Sequence, residues 1–207
     1  EVTRIDVAEA RRLGYHLPRR LIPAGQVAAI PTWPSRKAST ATSLAALNQA
    51  GALVHIYQDG SVQVNHGGTE MGQGLNTKVA QVVADVLQVD LERIQITATR
   101  TDKVPNTSPT AASSGTDLNG QAARVAAETI KQRLVEFLAQ SEQVPAESVR
   151  FVSNRVYFGQ DKSLGFAELA QRAYMARISL STTGYYRTPK IHYDRASGKG
   201  RPFFYFA

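Results

Sequence analysis

The chain has 207 residues, of which 43% are hydrophobic, and a formal charge of +7. That length and apolar content suffice to bury a core and exclude a chain disordered by composition, while no apolar stretch approaches the roughly 20 residues that span a bilayer. With no cysteine, the chain forms no disulfide and ligates no iron–sulfur cluster through thiolates, so any such cluster belongs to another polypeptide or domain.

Much of the positive charge is local. Arg4, Arg11, Arg12, Arg19, Arg20, Arg36 and Lys37 all precede residue 47. That tract has few aromatic residues and no nucleic-acid motif, so it reads as a solvated or subunit-facing surface rather than a nucleic-acid contact. The N-terminus lacks a charged-then-apolar signal pattern, which makes the cytoplasm the expected location.

The first clear elements are the runs 52–57 and 61–66, joined by Asp59-Gly60; these predict a β-hairpin in which Asp-Gly supplies the positive φ of a tight turn. A glycine-rich loop follows, His66-Gly67-Gly68-Thr69-Glu70-Met71-Gly72-Gln73-Gly74. Leu75, Val79, Val82, Val83 and Val86 then recur at helical spacing. Residues 94–98 alternate as a strand and deliver a second, hydroxyl-rich loop, Pro105-Asn106-Thr107-Ser108-Pro109-Thr110-Ala111-Ala112-Ser113-Ser114-Gly115-Thr116.

Leu118, Ala122, Val125, Thr129, Ile130, Leu134 and Phe137 describe a longer helix, with Ser113, Ser114 or Thr116 available as its N-cap. Residues 149–152 and 156–158, turning at Ser153-Asn154, suggest a second hairpin. A further helix is predicted over 164–176, with Phe166, Leu169, Ala173 and Tyr174 inward. Tyr185 and Tyr186 read as core residues with hydrogen-bonded hydroxyls. The aromatic run 202–207 resembles a strand cut in the middle, and the chain does not begin with methionine; both lead us to expect a piece of a longer protein.

Each of the two loops runs into a helix, and both look built to hold anionic groups against backbone, since helix starts offer unpaired N–H donors and a positive dipole end. From the residues alone, Ser113 serves equally as a helix cap and Gly72 as a turn. Glu70 is a rival general base if burial raises its pKa, and otherwise a structural acceptor of neighbouring N–H groups. His55, His66 and His192 show no metal-ligand spacing, and no residue is assigned to a metal.

Both loops, with the stretch from Leu47 to about Gln140 and the segment 176–189, resemble the molybdopterin-binding large subunit of the molybdenum hydroxylases, the xanthine dehydrogenase and aldehyde oxidase family. The resemblance implies an α+β fold: β-hairpins and helices with loop-to-helix cofactor-binding elements, part of a larger molybdopterin-binding domain. It divides the chain into a divergent basic segment, 1–46, and a partial domain, 47–207, truncated at both ends. It also implies a molybdenum–molybdopterin cofactor contacted by Met71, Gly72, Gln73, Thr110, Ala111, Ala112 and Ser113. FAD and 2Fe–2S clusters would sit on a partner subunit or domain, and the assembly would be oligomeric.

Three family features have no counterpart. The Gly-Glu-Pro-Pro-like segment that carries the family's catalytic glutamate and the Arg-Gly-Phe-Gly-Gly motif are absent from this sequence, and residues 31–43 lack the phenylalanine that sandwiches a flat substrate. This chain alone is therefore expected to turn over nothing. In the intact protein the resemblance implies oxidation of hypoxanthine and xanthine to urate, with electrons passing through Fe–S and FAD to NAD. The alternatives are an aldehyde- or nicotinate-type hydroxylase, and a non-catalytic anion-binding or assembly module.

Overall fold

The computed structural model describes residues 48–201, apart from 101, 104–106, 112, 113 and 195. The basic segment 1–46, the substrate-clamp region 31–43, the aromatic run 202–207 and two of the site residues, Ala112 and Ser113, lie outside the described residues.

Strands β1 (Gln49–Ile56) and β2 (Val62–His66) form the first hairpin, and helix α1 (Leu75–Leu87) leads back to β3 (Ile94–Ile96). Helix α2 (Gly115–Glu142) is followed by β4 (Arg150–Val152), β5 (Arg155–Phe158) and β6 (Lys162–Gly165). Helix α3 (Phe166–Met175), β7 (Ser181–Arg187), β8 (His192–Asp194) and β9 (Lys199–Arg201) complete the order. The main sheet runs β3-β2-β1-β7, β4-β5-β6 form a second sheet, and β8-β9 a two-stranded ribbon. In the main sheet β1 is antiparallel to both β2 and β7, while β3 lies parallel to β2. The expected α+β character is what the chain adopts.

Alternation decides which face of the sheet is covered. Ala50, Ala52, Val54 and Ile56 of β1 and Val62 and Val64 of β2 are buried with Leu75, Val79, Val83 and Leu87 of α1 in one continuous core. Residues of the second sheet and α3, among them Phe151, Val156, Leu164, Phe166 and Leu169, extend that core. At the far end of α2, Glu142 pairs with Arg172 of α3 at 2.8 Å and with Lys162 of β6 at 3.4 Å.

Helix α2 departs from its predicted stripe. Val125 is 38% exposed, and Thr129 and Phe137 are only half-buried; the buried face is Leu118, Ala122, Ala123, Ala126, Ala127, Ile130, Leu134 and Leu138. The cause lies in β7. A Cβ on Gly184 would stand 2.1 Å from the Ala122 carbonyl oxygen and 2.6 Å from the Ala126 nitrogen, so strand and helix meet backbone to backbone. Only small residues fit at that seam.

Other boundaries shift for local reasons. The first turn has positive φ at Gly60 (81°) alone; Asp59 instead accepts the Ser61 N–H (2.9 Å) and hydroxyl (2.6 Å). β3 stops at Ile96 rather than 98: the Thr97 N–H still bonds Val64 O at 2.9 Å before the chain turns away. Leu164 belongs to β6, opposite Val156, and α3 begins at Phe166, whose N–H bonds Asn154 O at 2.8 Å. Tyr174, expected inward, is 57% exposed. The second hairpin turns as expected through Ser153 (φ 45°) and Asn154 (φ 64°). Of the tyrosine pair, only Tyr186 lies against the core. Tyr185 alternates to the other face and is exposed, its hydroxyl donating to Gln49 Oε1.

Candidate functional site

The first loop begins at a buried histidine. His66 ends β2 on the helix-covered face, and its Nδ1 accepts the Gly68 N–H at 3.1 Å, which places the ring proton on Nε2. Burial pushes this imidazole below its usual pKa, partly opposed by Asn76 and by the charge of Glu70. Gly68 is glycine for want of space: a Cβ there would lie 2.6 Å from Leu75 Cδ2 and 2.8 Å from Asn119 Nδ2. Its carbonyl accepts the Thr99 hydroxyl at 2.8 Å.

Glu70 turns its carboxylate onto the start of α1. Oε1 accepts the N–H groups of Gly72 (2.9 Å) and Gly74 (3.0 Å), and Oε2 that of Asn76 (2.9 Å). These bonds, that of Asn76 foremost, hold the carboxyl below the usual glutamate range. The general-base reading of Glu70 is thereby overturned: the group is exposed and stabilised as an anion, the opposite of a buried carboxyl poised to take a proton. The first loop is equally not an open anion cradle, because the chain's own carboxylate occupies its donors.

Gln73 is fixed at both ends of its amide. Oε1 accepts the Met71 N–H at 2.5 Å and Nε2 donates to Thr69 O at 2.8 Å, which settles the orientation of the amide. One N–H on Nε2 and one lone pair on Oε1 remain for a ligand. Met71 is 68% exposed. Gly72 (φ 95°) and Gly74 (φ 76°) are left-handed, and nothing stands within 4 Å of where their side chains would be, so the loop keeps open space on that side.

The second loop is tied to the sheet and then to the first loop. The Ser108 N–H bonds Gln49 O at 3.0 Å on β1. Thr110 Oγ1 accepts the Thr69 N–H at 2.7 Å, leaving the Thr110 hydroxyl proton free to donate. Ser114 is the N-cap residue of α2, yet its hydroxyl donates back to Ala111 O at 2.6 Å and makes no cap bond. Thus Met71, Gly72, Gln73, Thr110 and Ala111 come together across one junction, with Ala112 and Ser113 outside the described residues. Sequence reasoning missed the fasteners: Thr69, Thr99 and Asn119. A mid-helix asparagine was the only signal for Asn119, whose Nδ2 bonds Gly115 O at 2.9 Å.

Around the loops, several buried polar atoms have no hydrogen-bond partner among the described residues: Thr107 Oγ1, Asp117 Oδ2 and Asn119 Oδ1. Burial raises the Asp117 carboxyl above its usual pKa. Interiors rarely leave such groups unsatisfied, and their concentration here marks a region organised around polar contacts.

The family model for the molybdopterin cofactor-binding domain matches residues 26–207. The chain belongs to that family. Among relatives, it is 45% identical over 161 residues to the xanthine dehydrogenase/oxidase of Felis catus, covering 78% of this chain and 11% of the relative. It is 48% identical over 160 residues to the xanthine dehydrogenase of Oryza sativa subsp. japonica, covering 77% of this chain and 10% of that one. The chain thus spans about a tenth of the length of the curated relatives it matches.

Among solved structures, the CO dehydrogenase of Oligotropha carboxidovorans superimposes with a TM-score of 0.63 at 28% identity, over 68% of this chain and 18% of that one. Quinoline 2-oxidoreductase from Pseudomonas putida 86 shares the fold, with a TM-score of 0.59 at 23% identity over 74% of this chain and 22% of that one.

The residues present fit a molybdopterin group. Its polar ring edges require neutral donors and acceptors, such as the spare Gln73 amide N–H and the Thr110 hydroxyl. The open space beside Gly72 and Gly74 gives it room. Among the described residues, no group of three or more His, Cys, Asp or Glu side chains is placed to hold a metal ion, and no helix is long and apolar enough to cross a membrane.

Proposed function

We propose that this chain is the part of a xanthine dehydrogenase that positions its molybdopterin, and that the complete enzyme oxidises hypoxanthine and xanthine to urate in cytoplasmic purine catabolism. The identity of 44–48% to xanthine dehydrogenases from animals, a plant and a fungus supports the substrate class. The observation that carries the positioning role is the Thr69–Thr110 bond, which ties the second loop to the residue whose carbonyl also holds the Gln73 amide.

When bound, the molybdenum–pterin group supplies the two-electron redox chemistry. The chain's own share is to bind and orient it. Gln73 donates its remaining amide N–H to a polar ring edge, Met71 and Gly72 border that contact, and Thr110 to Ser113 supply hydroxyl and backbone donors from the second loop. With Glu70 filling the donors at the start of α1, the cofactor's phosphate falls to the second loop and the start of α2. The partners are the remainder of the large subunit and an FAD and 2Fe–2S subunit or domain that carries electrons to NAD, in an oligomeric assembly.

Gln73→Ala in the full-length enzyme, expressed in cells that make the cofactor, is expected to lower molybdenum and pterin content while the loss of its two loop bonds lowers the unfolding temperature of the cofactor-free protein by less than about 5 °C. Full cofactor content in that variant overturns the assignment. Assaying the loaded wild-type enzyme with xanthine against aldehydes and nicotinate tests the substrate class; turnover of either alternative without xanthine turnover refutes it.

A further inference from the structure

One charged side chain in the first loop takes no part in the contacts just described. Glu70 is exposed, yet both carboxylate oxygens face the chain's own N–H groups, those of Gly72, Gly74 and Asn76. These three donors bracket Gln73: Gly72 precedes it, Gly74 follows it, and Asn76 lies in the first turn of α1. Both glycines are left-handed, and nothing stands where their side chains would be, so neither presents a side chain whose contacts could hold its peptide. Gly74, the N-cap position of α1, has no side chain with which to cap it. Glu70 supplies that cap from four residues upstream.

We infer that Glu70 is a positioning residue for Gln73: its carboxylate fixes the peptides on either side of Gln73 and so sets the direction of the free amide N–H. This rests on the reading of Gln73 as a cofactor contact. The chemistry of the cradle explains the residue type. All three partners are donors, so the group among them must be acceptor-only, and a carboxylate offers two oxygens with about four lone-pair sites. A glutamine at this position would turn an amide N–H toward backbone N–H on one side.

The test uses the full-length enzyme from cofactor-producing cells, comparing wild type, Glu70→Gln, Gln73→Ala and the double variant by pterin and molybdenum content and by the unfolding temperature of the cofactor-free protein. Each single change is expected to lower pterin content by at least about fivefold, and the double variant to be no lower than Gln73→Ala alone, because coupled residues are non-additive. Glu70→Asp, which keeps the acceptors but loses reach, is expected to retain more pterin than Glu70→Gln.

Each failure points to one claim. Full pterin in Glu70→Gln beside depleted Gln73→Ala overturns the inference alone, whereas full pterin in Gln73→Ala overturns the cofactor reading beneath it. A double variant depleted by the product of the two single effects shows Glu70 acting independently and also overturns the inference. So does a Glu70→Gln protein whose unfolding temperature falls by more than about 5 °C, since that loss would mark a residue holding the fold rather than orienting Gln73.

Discussion

Gly184→Ala should damage this domain by forcing apart the seam between β7 and α2. The added Cβ would meet the Ala122 carbonyl oxygen at 2.1 Å, where even a close carbon–oxygen contact needs about 3.3 Å, a shortfall of about 1.2 Å. The opposing atoms are helix backbone, which no rotamer change moves, so α2 and β7 must separate along the seam that buries Ala122, Ala126 and Ala127. Overpacking of this kind costs up to about 3 kcal/mol, a large fraction of the roughly 5–15 kcal/mol by which a domain is stable. For a chain of this size that corresponds to a fall of roughly 6–12 °C in unfolding temperature, followed by far-UV circular dichroism. Adding Ala126→Gly should not restore it, because the two closest contacts, to Ala122 O and Ala126 N, remain. A Gly184→Ala protein that unfolds within about 2 °C of wild type would refute the account of the seam.

Gly68→Ala should cost less than Gly184→Ala in the same assay, since its Cβ meets the side-chain ends of Leu75 and Asn119 rather than helix backbone. Asp117→Asn should leave stability unchanged near pH ~3 and raise it at neutral pH. Burial raises the folded carboxyl above its ordinary value of 3.8, so the wild type loses stability as pH climbs from that value through the raised one, and the asparagine variant does not. Parallel stability curves for the two proteins from pH ~3 to ~7 would contradict this. Asn154→Ala should cost about 1–2 kcal/mol, because it forfeits the 2.8 Å bond from the Asp90 N–H to Asn154 Oδ1 and places alanine at φ 64°. Asn154→Gly, which loses only the bond, should cost less in a urea titration; equal losses would show that backbone strain plays no part.

The hairpins and the three helices were legible because their signals are local. Asn154 in a two-residue turn, and Leu75, Val79 and Val83 at helical spacing, carry the information within a few residues. What failed was set by distant neighbours. Nothing in the sequence of α2 announces that Val125 faces solvent; that follows from a glycine in β7. Glu70 shows the same limit at the site. Its position inside a glycine loop is compatible with a proton acceptor or a cap, and only the three N–H groups converging on it decide between them. The site residues were found through wording shared with a family, whereas the Thr69–Thr110 bond that unites them depends on how two loops meet in space.

The pairing of β1 with β7 has a consequence for the order of synthesis. The loops that form the site are finished by residue 114, but the second of them hangs from Gln49, on a strand whose other edge is completed by residues 181–187. On the ribosome, at roughly 5–20 residues per second, the nascent loops therefore wait several seconds beside a half-built sheet. The face of α2 reserved for Gly184 stays open throughout that interval. Loading of a cofactor at this junction is accordingly expected to follow translation of the domain, since a chain stalled before β7 would carry every proposed contact residue and still lack the strand that completes the sheet beside them.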